Sequence, residues 1–492
     1  MLEGSGAMRK GTALATLLLL AGCGSTDPDA ARLDVTVVGT PWQGGLAARL
    51  EAEATMPGLI ARDGSGAIVP GLASSWRFVD DERGLILRLR PTKWSNGRAL
   101  GSNEVVAAFR RAALRGEAAL RHGGITNADR VATRAVPASK LGVLAPISRV
   151  VEIRLTTASP QLLGWLVEPG LAVVPTKGNA TLAAYVASGP PTARLLERLD
   201  GMAGPSAQPS SITITSEADP AAAVTRFARG GSDIVVGDGL AGLGEARTVA
   251  RPQMLQVEAL WGVYGYIANT RSGALKDPQL RRALLLATDR AALAARVGLA
   301  AMTPVEGLLP PSLASPPSAP PDMATRSAQA LALRNGKPPV RLTLLLPPGH
   351  DHRVIAERVA ADWAALGVTL AISEVDTATI ATRVKRGNFD LALNEASLPV
   401  PDAAALLARW RCDSGLTCDP AADTLLEKAR AAPAIKRPAL LAAAEAQWLA
   451  APPMVPLLTP LRWALVARNV EGWKANSAGS HPLGRLSIMA KP

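Results

Sequence analysis

Three cysteines, four histidines, four phenylalanines and three tyrosines are all that this 492-residue chain holds of those types, and each shortage closes off a class of chemistry. Two of the histidines, His350 and His352, sit in "GHDH", with no cysteine or third histidine nearby in sequence. A transition-metal centre needs more donors than that. The pair therefore reads as polar capping residues around Asp351 at the start of a helix, and no metal or cofactor is expected. G-x-S-x-G, P-loop and H-E-x-x-H motifs are absent, and no nucleophile stands at readable spacing from a histidine base, which argues against an enzyme. Long apolar runs are missing too: the stretch from Ala13 to Ala21 is far short of the roughly 20 residues that a membrane-spanning helix needs. Basic residues outnumber acidic ones, 53 to 41, for a formal charge of +12, but the arginines are scattered singly. Without Lys/Arg clusters interleaved with aromatics there is no footprint for nucleic acid.

What is present begins with Met8, Arg9 and Lys10 ahead of that short apolar stretch, the charged and hydrophobic regions of an export signal. The stretch ends in Leu20-Ala21-Gly22-Cys23, which resembles the lipobox of bacterial lipoproteins. In that motif a peptidase cuts before the cysteine, whose thiol carries a diacylglyceryl group. The resemblance implies a signal peptide over 1–22, a lipidated tether over 23–31 and a protein anchored by lipid in the periplasm or at the cell surface. Export also implies an oxidising compartment, so Cys412 and Cys418, with five residues between them in "RCDSGLTCDP", are expected to form a disulfide. So small a ring fixes a loop more than it holds a fold.

Along the chain, "ARLDVTVVG" (31–39) predicts a strand and "PWQGG" the loop leaving it. "RDGSG" predicts a hairpin turn, "LILRLR" a half-buried strand, and Ser102 the cap of a helix from about Asn103 to Leu114. Residues 211–236 and 340–375 each read as strand, helix, strand, a pattern that implies α/β lobes. Asp277 followed by Pro278 signals a helix start, with Leu280, Ala283, Leu284 and Ala287 on its inner face. The proline-rich stretch 307–339 is expected to be a surface loop within a lobe. "GDGLAG" (237–242) matches G-x-G-x-x-G after a strand, but a dinucleotide site also needs a long following helix and an acidic residue about 20 positions on. It is read as a glycine-rich loop.

Four blocks, taken in order, carry a resemblance: "VPGLASSWRF" with "KWSNGRALGSNEVVAAFRRA", "YGYIANT" with "KDPQLRRALLLATDRAAL", "RGNFDLALNEASLPVPDAAALL", and "AAAEAQWLAAPPMVPLLTP". Together they resemble the extracellular solute-binding proteins, family 5, which include the peptide and nickel receptors of ABC importers. The resemblance implies an α/β, two-lobe, periplasmic-binding-protein-like fold of the type II, peptide-binding class, with an extra subdomain in the first lobe. The first lobe would span 32–260, the second 261–455, and 456–492 would return to the first. A peptide or peptide-like solute would lie between the lobes of a monomer that delivers it to an ABC permease. The ligand residues expected on this basis are Gly39, Trp42 and Gln43 after the first strand, Trp261 near the crossing, and Glu395 and Ser397 on the opposing lobe. Dipeptide-type receptors place an aspartate before a D-P-D motif to pair with the ligand's amine. Here Ser397 stands near that place, Val400 replaces the first aspartate of the motif, and Pro401 and Asp402 are kept. Weak preference for a free amine follows, with Glu395 as the substitute carboxylate and Trp42 the larger contributor. Trp76, Trp363 and Trp448 read as core residues. The competing function is an envelope scaffold that keeps the fold without a ligand.

Overall fold

The computed structural model describes residues 31–41, 45–199, 208–251, 253–315 and 321–489; Cys23, Trp42 and Gln43 lie outside them. Strand β1 (Arg32–Val38) buries Leu33, Val35 and Val37 on one face and Thr36 on the other, where the Thr36 hydroxyl bonds that of Ser232 at 2.6 Å. Burial on both faces suits a central strand with parallel neighbours on each side, and that is its position.

An insertion follows. Hairpin strands β2 (Ile60–Arg62) and β3 (Ile68–Pro70) turn at Asp63, whose carboxylate accepts the Ser65 and Ala67 N–H groups. Strands β4 (Ala73–Val79), β5 (Gly84–Leu89), β6 (Val143–Ile147) and β7 (Val150–Arg154) form an antiparallel sheet in the order β4-β5-β7-β6. The helix Ser102–Leu114 packs on it, and its start corrects the expected cap. Gly101 holds the N-cap position, its N–H donates to Glu104 Oε2 at 2.9 Å, and the Ser102 hydroxyl donates instead to the Ile147 carbonyl at 2.7 Å.

The chain then supplies β8 (Tyr185–Ser188), β9 (Ala193–Arg198), β10 (Ser211–Glu217), β11 (Ile234–Asp238) and β12 (Leu255–Ala259). Only Leu260 separates β12 from β13 (Trp261–Ala268), which belongs to a second sheet with β14 (Val340–Leu346), β15 (Val368–Glu374), β16 (Leu391–Leu398) and β17 (Met454–Leu458). Thr459 and Pro460 lead back to β18 (Leu461–Val466) in the first sheet. The sheet orders are β12-β18-β11-β1-β10-β9-β8 and β15-β14-β16-β13-β17. One apolar cluster runs from Val235 and Leu243 beside the first sheet to Leu344 and Trp363 beside the second.

Two further expectations change. Within 307–339 the structure has a helix, Met323–Arg334, capped by Asp322 accepting from Thr325 N and burying Arg326, Ala330 and Arg334 one turn apart. Its Met, Ala, Leu, Gln and Arg residues are good helix formers, and this outweighs the prolines on either side. The helix His350–Ala364 has no side-chain cap: Gly349 occupies that position, and His352 is buried. The helix Pro278–Ala287 begins as its sequence signals, with the Asp277 carboxylate accepting from Gln279 N and all four expected positions buried. Trp363 and Trp448 are fully buried and Trp76 is half-buried against the insertion's core. No helix among the described residues is long and apolar enough to cross a membrane.

Candidate ligand cleft between the two lobes

Strand β16 pairs antiparallel with β13 so that Tyr264 stands opposite Glu395, Gly262 opposite Ser397 and Trp261 opposite Leu398. Side chains two apart share a face of a strand, so Glu395 and Ser397 point the same way. Glu395 reaches Gly239, in the glycine-rich loop that leaves β11 of the other sheet. A Cβ added to Gly239 would lie 2.6 Å from Glu395 Oε2 and 2.8 Å from Oε1, so the carboxyl occupies the space that a side chain there would fill. Gly239 also has φ +67°, a conformation that glycine adopts without strain. The neighbouring Gly237 lies against the Trp463 indole, whose Nε1 donates to the Ala241 carbonyl at 3.0 Å. The glycines of "GDGLAG" thus serve close packing and a meeting of the lobes. The helix after them, Leu243–Val249, has only seven residues.

Glu395 is exposed, with its carboxyl against the backbone of Gly239 on one side. Loss of bulk water, with the Asp238 carboxylate nearby, pushes its carboxyl up to about 8. Among the described residues it has no hydrogen-bond or ion-pair partner. Asp238 pairs with Arg462 at 3.3 Å and leaves more than half of its side chain exposed. Behind Glu395, the Tyr264 hydroxyl and His352 Nδ1 share a buried 3.0 Å hydrogen bond. Burial lowers His352 to about 4 and, with lesser contributions from Tyr266 and Glu395, raises Tyr264, so both are neutral near pH 7. Ser397 is exposed and Trp261 half-buried on this same pair of strands. Gly39 lies in the first lobe, where its N–H donates to the Glu217 carbonyl at 2.7 Å and nothing lies within 4 Å of a would-be side chain. No group of acids, histidines or cysteines among the described residues is arranged to hold a metal ion.

At the end of β16 the chain grips the insertion. Val400 is 1% exposed within the insertion's apolar core, and Gly164 is the residue whose missing side chain admits it. Arg62 Nη2 donates to the Pro399 carbonyl at 2.8 Å, and Trp165 Nε1 donates to Asp402 Oδ2 at 2.9 Å. The other Asp402 oxygen caps the helix Ala403–Leu407 through Ala405 N. Nearby, Thr157 donates to the Arg430 carbonyl and Arg437 to that of Ala158. His122 stacks on Trp165 and is lowered to about 4, first by burial and then by Arg430 and Arg121.

The sequence model described as bacterial extracellular solute-binding proteins, family 5 Middle, matches residues 67–417. The chain belongs to this family. It is 24% identical over 474 residues to the periplasmic oligopeptide-binding protein OppA of Salmonella typhimurium, across 88% of this chain and 86% of that one. Among solved structures, Haemophilus influenzae OppA in complex with RPPGFSPFR superposes with a TM-score of 0.80 at 20% identity, covering 94% of this chain and 99% of that one. The murein tripeptide binding protein MppA of Escherichia coli gives 0.81 at 21%, with coverage of 94% and 99%. The fold is therefore the two-lobe one that the resemblance implied, and relatives of this kind are solute-binding proteins, not enzymes.

In this family-5 protein the departures from the dipeptide-receptor pattern acquire physical causes. Val400 stands where an acid is common because its environment here is the apolar interior of the insertion. Asp402 is retained as both a helix cap and the acceptor of the Trp165 indole. Nothing local in the chain marks Gly239, Asp238, Arg62 or Trp165 as neighbours of the β16 segment. The one signal on offer was the run of glycines at 237–242, which a packing argument could have read as a site of close approach.

Proposed function

We propose that this protein is the receptor component of an ABC importer, capturing a peptide or peptide-like solute between its lobes and passing it to a permease. Family membership supports the solute-binding role, and relatives named for oligopeptides and for a murein tripeptide support the class of solute. The observation that carries the reading is the unpartnered, exposed Glu395 carboxyl of one lobe standing against Gly239 of the other, because a scaffold with a collapsed cleft would have no reason to keep an acid there. The scaffold alternative draws on Val400, whose insertion holds the lobes together through apolar contact without any ligand.

Leu20-Ala21-Gly22-Cys23 supports a lipid anchor on Cys23, outside the cytoplasm. Cys23→Ser is expected to move the protein from the membrane to the soluble fraction, and an unchanged distribution would contradict anchoring there. For the function itself, thermal-shift measurements on the full chain in detergent should give a higher melting temperature with a pool of di- to pentapeptides and no change with a pool of monosaccharides. The reverse pattern would overturn the peptide assignment.

A further inference from the structure

We infer that the end of the second lobe remote from the cleft is a docking surface for an anionic phospholipid membrane. The inference rests on the anchor reading above for nearness to a bilayer, but not for its chemistry. Six exposed cations meet at this end: Arg271, Lys276, Arg341, Arg383, Lys385 and Arg386. They come from three segments far apart in the chain, so it is the fold that gathers them. The helix Thr377–Arg386 supplies Arg383, Lys385 and Arg386 in its last turn and ends at Gly387. The Asn269 amide donates to the Gly387 and Phe389 carbonyls at 2.9 Å each, which sets the loop holding Arg271 and Lys276 against that helix end. Arg271 Nη2 stands 3.3 Å from where a Cβ on Gly387 would lie. On β14, Arg341 shares a face with Leu345, which packs in one apolar cluster with Ile380 of the same helix. Ala268, just before the loop, pairs with Leu391 at the far end of β16 from Ser397, so the six lie away from the cleft.

None of the six forms an ion pair among the described residues. The acids of these segments, Asp277 and Asp390, accept instead from the Gln279 and Thr343 N–H groups, at 2.9 Å each. Cations in the last turn suit the dipole of their own helix. That does not account for Arg271, Lys276 and Arg341, which belong to other elements. Like charges gathered in this way repel one another, and a surface of opposite sign relieves the repulsion. Lipid fits better than protein here. The core of a protein interface is rich in apolar and aromatic groups and poor in lysine, and none of the large apolar side chains exposed among the described residues lies in these segments. Anionic headgroups, by contrast, attract clusters of roughly four to eight Lys and Arg. Arg383, Arg386 and Asn388 line one groove on this face, and their N–H groups suit a phosphate. Arg32, where a tether from Cys23 would enter, is likewise the end of β1 away from the cleft, because β1 runs parallel to β11 and β11 leads to Gly239. Anchor and patch therefore hold one lobe each, and neither covers the cleft.

The test sediments the full chain carrying Cys23→Ser, which has no acyl chain to insert, with vesicles of phosphatidylcholine alone and with vesicles of equal parts phosphatidylcholine and phosphatidylglycerol. Affinity for the mixed vesicles is expected to be at least about tenfold higher, and the difference should vanish in about 1 M salt, where charges are screened beyond roughly 3 Å. Each charge lost near the surface is worth about fivefold, so the triple variant Arg383→Gln, Lys385→Gln, Arg386→Gln should lose at least about tenfold on the mixed vesicles. A second triple variant, Arg77→Gln, Arg88→Gln, Arg90→Gln, removes the same charge from exposed positions on the insertion and should bind as the parent does. Equal losses in the two triple variants would overturn the patch in favour of net charge. Equal binding to both kinds of vesicle, or binding to neither, as expected if an acidic protein were the partner, would overturn the lipid assignment. Because Cys23 is replaced throughout, these outcomes do not depend on the anchor reading, whose own failure shows as an unchanged membrane fraction in cells.

Discussion

At Glu395, burial together with the neighbouring Asp238 raises the carboxyl from an ordinary 4.5 to about 8. Between those values the folded chain keeps a proton that the unfolded chain has released. Stability from this group is therefore full below about 4.5 and falls as pH rises towards 8, the opposite of an ion-paired acid. Tyr264 stays protonated, whereas His352 and His122, each lowered to about 4 by burial, are charged in the unfolded chain below 6.5 and add an opposing rise in stability between about pH 4 and 6.5, which the comparison with Glu395→Gln cancels. Relative to Glu395→Gln, wild type is expected to lose melting temperature on going from about pH 5 to about pH 8. Parallel profiles for the two proteins would contradict the raised carboxyl. Trp42 lies outside the described residues, and calorimetry on Trp42→Ala and Glu395→Ala is expected to give the larger loss of binding for Trp42→Ala, as the sequence suggests; a larger loss for Glu395→Ala would contradict that ranking. What the sequence could show of Glu395 was its place two residues before Ser397. Its surroundings could not be read, because Gly239 and Asp238 reach it only through the folding of two distant segments.

The element that most changes the picture is the loop from Pro399 to Asp402. Val400→Asp would place a carboxylate in an apolar core without a partner, and a loss of roughly 2–4 kcal/mol in urea unfolding is expected. Trp165→Phe removes only the donor to Asp402 and leaves that oxygen unpaired, for about 1–3 kcal/mol. If Val400→Asp proved as stable as wild type, the loop would not be seated in the insertion. Elements with strong local signals were legible: Asp277 and Pro278 announced their helix because cap and first-turn chemistry act within a few residues. The helix Met323–Arg334 was hidden by the prolines around it, although Asp322 and a run of helix formers were in view. The cap of Ser102–Leu114 was misread because Ser102 had two uses open to it, and the Ile147 carbonyl took its hydroxyl. In the loop after Trp410, Cys412 and Cys418 are bonded to each other. Peptide mapping without reduction should recover them linked, and replacing both with serine should cost about 2 kcal/mol. Two free thiols in exported protein would contradict the pairing.

For the whole molecule, the two sheets are joined at Leu260 and at Thr459-Pro460, and a continuous apolar cluster runs beside both crossings. The lobes therefore share a firm base near the crossings, meet at Glu395 and Gly239, and are fastened again where Val400 enters the insertion. The α/β alternation that identifies the two lobes was visible in the sequence because each strand and helix carries its own periodicity. The pairing of β11 with β18, and of Tyr264 with Glu395, was not, because it depends on segments far apart in the chain. The most direct measurement is native mass spectrometry of the protein released gently from its own membranes. A receptor should arrive with a bound solute of a few hundred daltons that is lost on collisional activation and fragments as a peptide or peptide-like compound. Protein that arrives bare, and stays bare after incubation with the peptide pool, would contradict the claim that this chain captures a solute between its lobes.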